Sequence, residues 1–346
     1  MLEGLKVSNS PHIGQGLTTR RVMLDVLIGL APATIAALVL FRQKAALVIA
    51  VSVGTSVVVE LACNISRGYS RPWRSLCDLS AVVTGVILAF SLPPAIPLWA
   101  VVVGAAFAIA IGKMVFGGLG ANIFNPAMIG RSFLTACFGT LMTTWTVPAT
   151  IDPNMPVVTA GISADARTQA TPLAWAKQAW KARSQPQQAG RYREHVMQYI
   201  WRSFLGEKAG CLGETGGIWL ILGGIYLLLR RTISVHIPLA VLASTFVFTG
   251  LVYLFHPDAV ISPIAHMTSG GLLLGAFFIA TDPVTSPITT KGRWIFGAGV
   301  GVLTILIRIF GEYPEGVMYA VLLMNAVSPL IDRFCRPIPV GGRPNV

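Results

Sequence analysis

Charge is scarce in this sequence. Asp, Glu, Lys and Arg make up 12% of its 346 residues, against 54% hydrophobic. A soluble domain carries about 25% charged residues. The composition therefore argues against an ordinary soluble enzyme, and the mean hydropathy of +0.68 agrees. Paired cysteines are missing too. Cys63, Cys77, Cys137, Cys211 and Cys335 are scattered, with no CxxC. Neither an iron–sulfur nest nor a zinc knuckle can be built locally. The odd count speaks against a disulfide framework, so each reads as a small apolar packer. No NAD-binding glycine fingerprint is present, and no cleavable signal peptide is expected, because the first apolar run is long enough to span.

What charge there is leans positive, +12 at pH 7. In a soluble protein that would suggest nucleic acid. Here the basic residues sit in short loops beside apolar runs, where they set membrane orientation, and no nucleic-acid partner is expected. A span needs about 20 mostly apolar residues. The runs that approach this are Val22–Phe41, Ala45–Cys63, Leu79–Phe90, Leu98–Lys113 and Ile123–Leu141, then Leu212–Leu229, Val235–Phe255, Ile264–Thr281, Trp294–Phe310 and Val317–Ile331. The third and eighth look short. The polar stretch Met142–Gly210, with Pro148, Pro153 and Pro156, divides them.

The sequence thus predicts an all-α polytopic membrane protein of about ten transmembrane helices: a first membrane half (1–141), an external loop (142–210) and a second half (211–346). Arg20 and Arg21, then Arg67, Arg71 and Arg74, Lys113, Arg230 and Arg231, Lys291 and Arg293, and Arg333 and Arg336 fall in alternate loops. The positive-inside rule places those loops and both termini in the cytoplasm, with the long loop outside; Arg42 and Lys44 are exceptions.

A weak repeat relates the halves. Gly85, Pro93 and Pro97 recur at the spacing of Gly275, Pro283 and Pro287. Five spans per half is odd, so the halves would be inverted. Short, Pro-interrupted segments in matching positions of inverted halves point to a midplane site; the plainer reading is that proline ends helices at the interface.

Three segments could carry chemistry. In Gly117–Ala127, glycines let a flat ligand approach, and the Asn122 and Asn125 amides can read a polar ring edge. Helix-capping asparagines at a re-entrant turn are the bland alternative. In Ser269–Pro287, Asp282 ends an apolar run, where an ionisable group is a functional candidate; carboxylate, hydroxyl and carbonyl oxygens suit a small hard cation. An N-cap aspartate would look the same. Asp25 and Glu60 also lie in apolar runs, and Arg21 four residues before Asp25 predicts a local helical ion pair. In the third segment, Asp165–Leu173, composition shows only a polar loop entering a helix over Leu173–Lys181.

Together these segments resemble the D subunit of the Rnf complex, which is homologous to the B subunit of the sodium-pumping NADH:quinone oxidoreductase. The resemblance runs nearly end to end through Ser10–Ile13, Thr18–Arg20, GLGANIFNPAMIGR and GGLLLGAFFIATDPVTSP. It implies a urea-transporter-like fold of two inverted five-helix halves. It implies FMN carried through a phosphoester by a threonine in a D-x-x-[ST]-G-A-[ST] motif, attached by a flavin transferase with FAD as donor. The matching residues are Asp165, Thr168, Ala170 and Thr171, followed by Pro172 and Leu173, so Thr171 is the implied acceptor. Gln169 stands where the family usually has glycine. A second, non-covalent flavin, riboflavin, is implied near Asn122 and Asn125, and an ion route at Asp282. The implied function is a flavoprotein subunit of an ion-translocating ferredoxin:NAD⁺ oxidoreductase in the bacterial inner membrane, coupled to Na⁺ or H⁺. Its implied partners are the other subunits, especially the flavoprotein G subunit. The alternatives are the quinone-reducing homologue, disfavoured by the short N-terminus, and a cofactor-free channel or transporter of the same fold.

Overall fold

A computed structural model describes residues 18–145, 171–205, 210–214, 216–257, 259–313 and 315–336. Helices account for the regular structure, and no strand occurs among these residues.

The first series begins with α1 (Thr19–Phe41), whose N-terminus is capped by the Thr18 hydroxyl accepting from Arg21 N–H at 3.3 Å. It continues with α2 (Gln43–Ser66), a 3₁₀ turn (Pro72–Asp78), α3 (Ser80–Phe90), α4 (Leu98–Ile109, extended by a π turn Ala110–Met114), α5 (Pro126–Cys137) and the short α6 (Gly139–Thr143). A hairpin of two helices follows: α7 (Pro172–Lys181) and α8 (Pro186–Leu205). The second series is α9 (Gly217–Leu229), α10 (His236–Phe255), α11 (Pro263–Thr268), α12 (Leu272–Leu274, running into a π turn Gly275–Ile279), α13 (Thr290–Phe310) and α14 (Val317–Phe334).

Not all of the ten apolar runs form continuous long helices among the described residues. Among the described residues, α1, α2, α10, α13 and α14 are long and apolar enough to cross a membrane, six if the 3₁₀ turn and α3 count as one bent span. The runs expected at Leu79–Phe90 and Ile264–Thr281 are broken. Leu79, at φ 65°, turns the chain by 57° between the 3₁₀ turn and α3. Gly270, at φ 70°, separates α11 from α12. The sixth run shrinks to the 13 residues of α9, and the fifth starts only at Pro126. Non-helical backbone at membrane depth is tolerated where protein rather than lipid surrounds it, and α3 is buried along nearly its whole length.

The two series meet through α1 and α9. A Cβ on Gly223 would collide with the Gly29 carbonyl, so glycine permits this crossing. Asp25 ties the same helices by accepting from Tyr226 Oη (3.2 Å), Arg230 Nη2 (3.4 Å) and Thr232 Oγ1 (3.1 Å). Asp25 is thus a link between the two series, beyond the local pair that its spacing from Arg21 suggested. Within the first series α2 packs on α3 and α4, and α4 on α5; within the second, α10 packs on α13, and α13 on α14.

These contacts define two faces. The start of α1 lies beside the end of α9, and His236 at the start of α10 lies 5.9 Å, ring to ring, from Trp294 at the start of α13. At about 1.5 Å per residue, the 21 residues of α13 rise about 31 Å from there. At the far end, Trp180 of α7 meets Phe310 at 5.5 Å and His256 at 5.4 Å. The hairpin therefore sits on the face opposite the start of α1.

Candidate functional site

A cavity opens between the two series, toward the face where α1 begins. Its interior is a narrow slot that opens to solvent at its mouth. Phe277 and Phe278 of the π turn supply apolar wall, while Ser80, Lys113, Asn122 and Asp282 bring polar groups to it.

The loop before α5 shapes one side. Asn125 caps α5, its Oδ1 accepting from Ala127 N–H (3.1 Å) and Met128 N–H (3.3 Å), while Pro126 takes the first helical position. That is an N-cap followed by proline, as helix physics favours. Asn122 differs. Its Nδ2 donates to the Phe124 carbonyl at 3.1 Å, but its Oδ1 is buried without a partner among the described residues. A buried acceptor left unpaired costs about 1–3 kcal/mol, which a ligand N–H in the slot would relieve.

Asp282 stands on the wall, half-buried. Its oxygens accept from Val284 N–H (3.2 Å) and Thr285 Oγ1 (3.3 Å), closing its own turn. No group of three or more His, Cys, Asp or Glu side chains suited to a metal occurs among the described residues.

Thr171 lies on the opposite face, at the N-terminus of α7. It is 5% exposed. Its Oγ1 accepts from Ala174 N–H at 3.1 Å, Pro172 holds the first helical position, and Leu173 packs beside Gly270. Asp165, Thr168 and Ala170 lie outside the described residues. Next to Leu173 lies a buried ionic staple. Arg308 donates to the carbonyls of His266 (2.6 Å) and Ser269 (3.0 Å) and to Glu315 Oε1 (3.2 Å). Glu315 in turn accepts from Gly271 N–H (3.1 Å) and Val317 N–H (3.2 Å). The pair thereby satisfies the end of α11 and the starts of α12 and α14, backbone groups that a break would otherwise orphan.

Residues 6–341 match the model of the NQR2, RnfD, RnfE family. The chain belongs to that family. It is 40% identical over 333 residues to the D subunit of the ion-translocating oxidoreductase complex of Stutzerimonas stutzeri, covering 93% of this chain and 92% of the relative. It is 40% identical to the D subunit of the proton-translocating ferredoxin:NAD(+) oxidoreductase complex of Clostridium ljungdahlii, covering 97% and 96%. It is also 40% identical to the Na(+)-translocating counterpart of Acetobacterium woodii, covering 96% and 94%.

In this family member the glycine-rich loop and the Asp282 turn converge on one cavity, with Asn122, Asn125 and Asp282 all on its lining and Thr171 far from it. Two participants were not legible in the sequence. Lys113, which resembles a loop cation there, is 2% exposed and forms an ion pair with Glu60 (1% exposed) at 2.6 Å. Asn325 joins the two motif loops: its Oδ1 accepts from Asn125 N–H (3.2 Å) and its Nδ2 donates to the Thr285 carbonyl (3.2 Å). Its one signal was an amide in the apolar run of α14.

Proposed function

We propose that this chain is the D subunit of an Rnf-type ion-translocating ferredoxin:NAD⁺ oxidoreductase, a multi-pass inner-membrane subunit that carries FMN on Thr171. Similarity along almost the whole length to subunits of that name is the observation that carries the reading. The ends of α1, α9 and α14 carrying basic residues would face the cytoplasm, the hairpin would lie outside, and the broken segments would complete two inverted five-element halves.

The residues at Thr171 fit a phosphoester. A helix N-terminus favours negative charge and presents free N–H groups, and Thr171 opens α7 with the Ala174 N–H directed at its oxygen. Pro172 removes no needed donor there. Because Thr171 is nearly shielded, a flavin transferase would act on it before the chain packs around it. A second flavin in the cavity fits the unpaired Asn122 Oδ1, which can accept from a ring N–H, and the Phe277 and Phe278 walls. When bound, such groups take up and release electrons; the chain holds them, excludes water and sets their electrostatics. Na⁺ or H⁺ coupling would draw on the cavity face, with Asp282 on its wall. Partners would be the flavoprotein G subunit, the other membrane subunits and the lipid bilayer.

The test is the assembled complex in membranes. Thr171→Ala should abolish ferredoxin-dependent NAD⁺ reduction while the chain remains in the complex, and Thr171→Ser should retain it in part. Full activity in Thr171→Ala would reject the reading.

A further inference from the structure

The cavity contains a buried charge with no role in holding FMN on Thr171. Lys113 Nζ is held by Glu60 Oε2 and by Ser80 Oγ, both at 2.6 Å. Both Lys113 and Ser80 line the slot that Asn122 lines. An ammonium has three donors, and the two bonds account for two of them. Stability does not explain the arrangement. Burying such a pair costs several kcal/mol per ion before attraction offsets it, and apolar replacements are often neutral or better. Ionisable groups at membrane depth are functional candidates by default.

We propose that Lys113 is the electrostatic positioning residue of the cavity: its remaining N–H would stand beside the polar edge of a flavin held there through Asn122 Oδ1, and Glu60 holds the ammonium in place and sets its strength. This rests on the reading of a second flavin in the slot. A flavin bound there would gain negative charge as it takes up electrons, and a fixed cation beside it would favour the reduced form, one of the ways a protein tunes a flavin. The carboxylate on the cavity wall, Asp282, is occupied with Val284 N–H and Thr285 Oγ1.

The experiment uses the full complex carrying Thr171→Ala, so that FMN on this residue does not contribute to the signal. Acid-extractable flavin is counted, and its midpoint potential is taken by redox titration. Lys113→Gln should disfavour reduction at least tenfold, about 30 mV more negative for a two-electron couple. Lys113→Arg should stay near the parent, and Glu60→Gln should move the potential the opposite way. If Lys113→Gln fails to assemble, Glu60→Gln carries the test by its opposite shift, with Lys113→Arg as the unshifted control. A parent without extractable flavin overturns the cavity reading itself. A parent with flavin whose potential ignores both Lys113→Gln and Glu60→Gln overturns the role of Lys113 alone.

Discussion

Asn325 Oδ1 accepts a hydrogen bond from the backbone of Asn125 at 3.2 Å, across 200 residues of sequence. Its amide also binds the Thr285 carbonyl, so one side chain in α14 joins the glycine-rich loop of the first series to the Asp282 turn of the second. Both ends are buried.

Asn325→Leu should therefore leave a buried N–H and a buried C=O unpaired, at about 1–3 kcal/mol each. A lowered midpoint of thermal unfolding in detergent, with loss of acid-extractable flavin, is the expected outcome. An unchanged melting point would show that the two loops are held by other means.

The Arg308–Glu315 staple should be costlier to break. Glu315→Ala strands a buried guanidinium and frees Gly271 N–H and Val317 N–H. Removing one partner of a buried pair costs about 3–5 kcal/mol. The expected result is poor accumulation in the membrane, or a steep loss of thermal stability with hydrogen exchange rising first across residues 263–279.

At the α1–α9 crossing, Gly223→Ala forces the helices apart, because the new Cβ meets the Gly29 carbonyl. Overpacking costs about 1–3 kcal/mol. Gly54, whose Cβ would meet nothing within 4 Å, is the control: Gly54→Ala should be neutral or slightly stabilising by the same melt.

The α7–α8 hairpin predicts a pH dependence. Burial holds the Lys177 ammonium below its usual pKa of 10.5, partly opposed by Glu312, and its Nζ meets no partner among the described residues. The folded state then releases this proton more readily than the unfolded chain does. Stability should rise with pH from the lowered pKa through 10.5 and level off above it, where both states are neutral. Lys177→Met should remove that rise. Melting curves of the two proteins over this window should converge at the alkaline end; parallel curves would refute it.

The sequence showed where apolar segments lie but not where they break. Leu79 is an ordinary leucine in an apolar run, and nothing in its composition marks the left-handed turn that ends the 3₁₀ segment. The π turns at Ala110–Met114 and Gly275–Ile279 are equally silent, since hydropathy does not report hydrogen-bond register. Asn125-Pro126 was legible because an N-cap before proline is a local rule. Lys113 was misread because a loop lysine and one buried against Glu60, 53 residues earlier, look alike in a charge pattern. The coupling ion is illegible for a plainer reason. Relatives named for protons and for sodium are equally 40% identical to this chain.

Everything proposed for the outer face depends on the flavin on Thr171. Mass spectrometry of the peptide spanning residues 165–177, from the chain made in a host with the flavin transferase, tests it head-on. The peptide should carry added mass equal to FMN less one water, localised to Thr171 and absent from Thr171→Ala. An unmodified Thr171 in a complex that still reduces NAD⁺ with ferredoxin would contradict it.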